Sequence, residues 1–134
     1  MALGFWNFAK QDPKALALVT PEEKLVSRGE LAAASNRIAR GLRALGLAPG
    51  DAVAVVLENS QPFVELYLAC FQAGLYLVPI NNHLAGPEIA YIAQNSEAKV
   101  FVTSPRFRDA VEKALPELTI PQSHRFSVGA RGHR

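Results

Sequence analysis

Residues 52–57 read Ala-Val-Ala-Val-Val-Leu, and this stretch decides the fold class. The run is apolar throughout and shows no polar–apolar alternation, which is typical of a strand buried on both faces of a sheet. Residues 75–80 (LYLVPI) and 99–103 (KVFVT) repeat the pattern. Each therefore predicts a further buried strand.

Helical segments separate these strands. Residues 63–73 are apolar nearly all round, and only Glu65 and Gln72 offer a solvent-facing stripe. Ser60 before this helix and Gly74 after it are expected to cap its two ends.

Two more helices complete the pattern. Pro87 opens one, and the other begins at Ser104 and Pro105 and ends at Pro116. Three unalternating strands separated by helices predict parallel pairing through right-handed crossovers. The predicted fold class is α/β, with a partial doubly wound parallel sheet flanked by helices.

The segment before this sheet predicts a β-hairpin and a long helix. Two β-prone runs, residues 15–20 and 24–27, flank a proline-led turn. Ser27 and Glu30 have the spacing of a capping box, so a helix should follow them. Its apolar face recurs at helical spacing and is expected to end at a left-handed Gly46: Leu31, Ala34, Ile38, Leu42 and Leu45.

The composition indicates one globular domain. The chain has 134 residues, of which 49% are hydrophobic and 19% charged, and its formal net charge is +2. The basic excess lies in residues 122–134, which contain three arginines and no acid and lack periodicity. We therefore predict a domain over residues 1–121 and a basic flexible tail over 122–134. Because the body is close to neutral, a nucleic-acid partner is not expected.

The single cysteine and the short apolar runs limit the location of the chain. Cys70 has no partner for an intrachain disulfide or a zinc site. No run approaches the roughly 20 residues that span a bilayer, so no transmembrane segment is expected. The N-terminus has no positive charge before its apolar patch, which argues against a signal peptide. The prediction is a cytoplasmic protein.

The sequence contains no motif that points to a catalytic, cofactor-binding or metal-binding residue. Neither G-x-G-x-x-G nor G-x-x-x-x-G-K-[ST] occurs. The turns after the strands could hold an anion weakly at helix N-termini, but Ser60 and Ser104 are interpreted as plain helix caps. Cys70 is expected to be a buried, inert thiol.

The histidines and the arginine stretch carry weak signals. His83 follows a strand, where α/β folds place ligands, but a lone loop histidine is more often solvated surface. His124 and His133 lie in the predicted tail. The basic stretch on the long helix is interpreted as a solvated face: Arg37, Arg40 and Arg43.

Taken in order, several stretches of this chain resemble the N-terminal part of the adenylate-forming enzymes, the acyl-CoA synthetase and luciferase superfamily. Residues 26–31 (VSRGEL) are similar to the opening motif of that family, and residues 71–81 (FQAGLYLVPIN) to its second motif. The helix, turn and strand of residues 36–55 and the helix start at 59–65 lie between them. The likeness runs from residue 5 to about residue 104 and is nearest to fatty-acyl-CoA ligases.

The resemblance implies a parent activity that uses ATP, Mg²⁺ and CoA. A carboxylate, with a fatty acid favoured, forms an acyl-adenylate, and the thiol of CoA then displaces AMP. The family's phosphate loop ending in Pro-Lys, its Asp for ribose and its catalytic Lys have no counterpart here, so the chain is expected to be inactive alone. Arg28 stands where the family usually has Tyr. His83 stands where the family frequently has Arg.

Two other hypotheses about the function remain open. The chain could be a non-enzymatic interaction module that associates with itself through an exposed sheet edge. It could also be a small nucleotide-binding module that uses helix N-termini. The change of character near residue 121 suggests the hypothesis of a truncated or frame-shifted product, and a partial sheet predicts marginal stability.

Overall fold

A computed structural model describes residues 4–128, and a four-stranded parallel sheet lies at their centre. Its strands are β3 (Ala52–Val56), β4 (Tyr76–Pro79), β5 (Val100–Thr103) and β6 (Arg125–Ser127), in the order β4-β3-β5-β6. All three strand pairs are parallel. The α/β prediction with a parallel sheet is confirmed, although the sheet has one strand more than the three that were expected.

A separate two-stranded sheet and five α-helices surround these strands. The hairpin pairs β1 (Leu16–Val19) with β2 (Leu25–Ser27) in antiparallel fashion, as predicted. The helices are α1 (Phe5–Gln11), α2 (Arg28–Ala44), α3 (Gln61–Ala73), α4 (Gly86–Asn95) and α5 (Arg108–Ala114). Short 3₁₀ turns at Pro105–Phe107 and Leu115–Glu117 flank α5, so the last predicted helix is divided into three pieces.

Helices cover both faces of the sheet, because successive side chains of β3 point in opposite directions. Val53 and Val55 pack with residues of α2 and α3, such as Leu42 and Leu66. Ala54 and Val56 belong to a second core with α4 and α5. All five residues of β3 are buried, which confirms that a run without alternation marks a strand covered on both faces.

Local capping fixes the ends of the two long helices. The Ser27 hydroxyl accepts a hydrogen bond from the Glu30 N–H (3.1 Å), and the Glu30 carboxylate accepts one from the Ser27 N–H (2.9 Å). This second bond lowers the pKa of Glu30. Gly46 and Gly74, which follow α2 and α3, adopt φ values of +97° and +76°, as the sequence predicts.

The predicted flexible tail is wrong for residues 122–128. A 3₁₀ turn over Gln122–His124 leads into β6, which pairs with β5 in parallel register. The Arg125 guanidinium also donates hydrogen bonds to the carbonyls of Ile120 (2.8 Å) and Leu118 (3.3 Å). These long-range and backbone contacts order a stretch that has no periodicity of its own. Residues 129–134 of the predicted tail lie outside the described residues.

Two burial predictions also need correction. Strand β4 is an edge strand rather than a fully buried one, and its Tyr76 is 67% exposed. On α3, Tyr67 and Phe71 are exposed in addition to Gln72, while Glu65 is half-buried. Strand β4 is exposed because it pairs with a neighbouring strand on one side only. On α3, Phe71 stays exposed although the Trp6 ring stacks on it.

Candidate functional site

The carboxyl ends of β3 and β5 border a crevice. It lies where the connections that leave these two neighbouring strands run to opposite sides of the sheet. From β3 the chain passes through α3 to β4, and from β5 it passes through α5 to β6 on the opposite side. Ligands of α/β sheets bind in such crevices. Glu58, Ser60, Ser104 and Arg106 line this one, and the turn of the hairpin closes one side with Lys24.

Internal hydrogen bonds occupy the floor of this crevice. The Ser104 hydroxyl, which is almost completely buried, donates to the Glu58 carboxylate at 2.9 Å. The Ser60 hydroxyl donates to the Glu58 carbonyl (3.0 Å) and accepts from the Phe63 N–H (3.4 Å). Ser60 therefore caps α3 as predicted. Ser104 does not cap a helix, because its hydroxyl is turned to a carboxylate instead.

The polar groups that line the crevice carry both signs of charge. Lys24 and Arg106 supply cations, and Glu22 and Glu58 supply carboxylates. Pro62 and Pro105 remove backbone N–H donors from the turns that follow the strands. Within residues 4–128, no three His, Cys, Asp or Glu side chains are grouped closely enough to hold a metal ion.

The other candidates from the sequence do not join it. Cys70 is buried, as expected, and this burial raises the pKa of its thiol to about 12. His83 is exposed, and its backbone N–H donates to the Asn81 side chain (2.9 Å). The His124 ring nitrogen Nδ1 lies 3.0 Å from the Lys99 carbonyl. His133 lies outside the described residues.

The arginine stretch on α2 points away from the core. All three side chains are exposed, as expected of a solvated face: Arg37, Arg40 and Arg43.

Two apolar grooves were not predicted. One, the sheet groove, runs between α2, α3 and the β5–β6 side of the sheet, has a volume of about 550 Å³, and includes Leu45, Val102 and Phe126. The other, the hairpin groove, lies between α1, the hairpin, α2 and α3 and has a volume of about 490 Å³. The sequence did not predict either groove, because each is formed by the spacing between elements that are distant along the chain.

An aromatic cluster joins α1 to α3. The Trp6 and Phe71 rings stack with their centroids 6.3 Å apart and an angle of 11° between planes, and Phe5 meets Trp6 edge-on. Phe71 remains 71% exposed despite this contact.

Residues 5–129 match the family model described as AMP-binding enzyme. The chain belongs to the AMP-binding enzyme family. The match continues beyond residue 104, where the likeness seen in the sequence ends, and beyond residue 121, where the predicted domain ends. None of the helices described within residues 4–128 is long and apolar enough to cross a membrane.

Relatives of this family member are carboxylate ligases. A fatty acid–[acyl-carrier-protein] ligase of Streptomyces coeruleorubidus is 34% identical over 95% of this chain and 25% of its own length. A long-chain-fatty-acid–CoA ligase of Mycobacterium tuberculosis is 37% identical over 70% of this chain and 19% of its own length. The chain thus spans between about a fifth and a quarter of the length of these two relatives, and it corresponds to their N-terminal portion.

Solved structures show the same architecture. A Mycobacterium tuberculosis fatty acyl CoA synthetase superposes with a TM-score of 0.81 at 30% identity, over 94% of this chain and 25% of that one. A benzoate CoA ligase from Burkholderia xenovorans gives a TM-score of 0.84 at 20% identity, over 93% of this chain and 25% of that one, which shows the fold alone.

Proposed function

We propose that this chain supplies the first part of an ATP-dependent carboxylate–CoA ligase and does not form the acyl-adenylate by itself. The observation that supports it is the family match over residues 5–129 in a chain that spans about a quarter of its relatives' length. A fatty acid is the favoured substrate, since fatty acid ligases stand among those relatives.

The sequence supports the second half of this proposal. Adenylation needs positive groups and a metal ion placed around the charge that develops on the α-phosphate. The phosphate loop ending in Pro-Lys and the catalytic Lys that the family resemblance implies have no counterpart among the 134 residues. We therefore assign ATP, Mg²⁺ and CoA to residues of the intact enzyme that this chain does not contain. This part of the enzyme acts as a scaffold.

An exchange assay tests the proposed inactivity. The purified chain is incubated with ATP, Mg²⁺, labelled pyrophosphate and a panel of fatty acids, with the Mycobacterium tuberculosis ligase as the positive control. We expect label to enter ATP only with the full-length ligase. Fatty-acid-dependent exchange by the chain alone would contradict the proposal.

A second candidate function is self-association, and the uncovered sheet groove favours it. Strand β6 lies at an edge of the sheet, where unpaired backbone groups can pair with another chain. Phe126, which is 40% exposed, and Val128 place apolar surface beside that edge. We therefore propose that two copies can pair through β6.

A further inference from the structure

The hairpin groove differs from the sheet groove in its charge. Its lining is apolar apart from one side chain, the guanidinium of Arg28, and it contains no acidic residue: Phe5, Phe8, Leu16, Ala17, Leu18, Arg28, Leu31, Val64 and Leu68. A volume of about 490 Å³ lies within the range of roughly 300–1,000 Å³ that is usual for small-molecule sites. An apolar trough with one fixed cation is complementary to a ligand with one anion and a long apolar body.

Arg28 lies against Phe8, and part of its guanidinium group has no partner among the described residues. Its Nη1 atom donates to the Phe8 carbonyl at 3.5 Å, and its guanidinium lies 5.8 Å from the centre of the Phe8 ring. Neither the Nε–Nη2 edge nor the charge has an acidic partner among residues 4–128. Two parallel N–H groups on such an edge match the two oxygens of a carboxylate.

From this geometry we propose that the hairpin groove binds a linear aliphatic monocarboxylate. The carboxylate pairs with the Nε–Nη2 edge of Arg28, and the hydrocarbon chain lies along Phe5, Leu18 and Leu68. A single cation matches one negative charge, which favours a carboxylate over a doubly charged phosphate. The site is separate from the crevice at Glu58, shares no residue with it, and needs neither ATP nor CoA.

Calorimetric titration with dodecanoate, below the concentration at which it forms micelles, tests this site on the full 134-residue chain. We expect saturable binding with one site per chain. Arg28→Gln should weaken it about tenfold, as expected for loss of a charge-assisted hydrogen bond, while Arg28→Lys should retain part of the affinity. Arg37→Gln, on the exposed face of the same helix, is the matched control and should bind like the parent chain.

A ligand comparison keeps the proposal testable should Arg28→Gln fail to fold. Dodecanol has the same chain without the charge and should bind the parent chain at least tenfold more weakly than dodecanoate. Equal affinity for the two ligands, unchanged dodecanoate binding by folded Arg28→Gln, or no saturable binding at all would overturn the proposal. Because ATP and CoA are absent, these results do not depend on the ligase proposal.

Discussion

The Ser104 hydroxyl donates a 2.9 Å hydrogen bond to the Glu58 carboxylate across 46 residues of sequence. This bond joins the loops that follow β3 and β5, so it fixes the two sides of the crevice relative to one another. Both residues follow strands whose pairing is parallel. The bond lies at the carboxyl edge of the sheet, and it pairs two of the polar side chains that line the crevice.

Removing this hydroxyl should destabilise the fold. Ser104→Ala leaves the Glu58 carboxylate without its buried partner, and we expect a loss of about 1–2 kcal/mol in the free energy of unfolding. Urea denaturation measures the change. Ser123→Ala, at an exposed serine in a 3₁₀ turn, is the matched control and should be near neutral. Equal stabilities of the two variants would show that the bond contributes nothing.

Two glycine-to-alanine substitutions should change the free energy of unfolding in opposite directions. A Cβ at Gly86 would lie 2.6 Å from the Lys113 Cβ and 2.9 Å from its carbonyl carbon, so Gly86→Ala should force α4 and α5 apart and cost roughly 1–3 kcal/mol. A Cβ at Gly41 meets nothing within 4 Å, so Gly41→Ala in the interior of α2 should stabilise by roughly 0.5–1 kcal/mol. Thermal unfolding of both variants checks the pair, and a stable Gly86→Ala would contradict the close packing.

The Cys70 thiol should resist alkylation in the folded chain. Burial raises its pKa to about 12, so it stays protonated at neutral pH, and the thiolate is the reactive form. Because the folded pKa lies above the unfolded value, Cys70 contributes stability at neutral pH that is lost as the pH rises from the unfolded pKa toward 12. Iodoacetamide labelling followed by mass spectrometry should show modification only after urea is added. Equal labelling rates with and without urea would contradict the buried position.

A charge at the sheet edge should abolish self-association. If two copies pair through β6, Phe126→Lys places a positive charge on the β6 edge of each copy. The two charges repel, so the variant should be a monomer at all concentrations. Light scattering on a size-exclusion column measures the mass. Tyr91→Lys, at an exposed position on α4, is the control and should associate like the parent chain. A parent chain that stays monomeric at high concentration would rule out this second function.

Local signals predicted the sheet's inner strands and the helix ends. The apolar runs at β3 and β5 lie in the interior of the sheet, and each identifies its strand without further information. The capping box of Ser27 and Glu30 likewise depends on residues three apart. Such features are visible in sequence because the interacting groups are close together along the chain.

Features that depend on distant partners were predicted less well. The run that forms β4 is as apolar as that of β3, and only the strand order places it at an edge. Strand β6 is three residues long and gains its order from pairing with β5. Ser104 precedes a proline as an N-cap would, yet its partner is Glu58. The grooves depend on spacing between elements, which the sequence does not encode locally.

A chimera tests the central claim most directly. Residues 5–128 of this chain replace the equivalent segment of the Mycobacterium tuberculosis long-chain-fatty-acid–CoA ligase, and formation of acyl-CoA from a fatty acid, ATP and CoA is measured. We predict ligase activity in the chimera and none in the same ligase with the segment deleted. A chimera that unfolds cooperatively but forms no acyl-CoA would contradict the claim that this chain is the first part of such an enzyme.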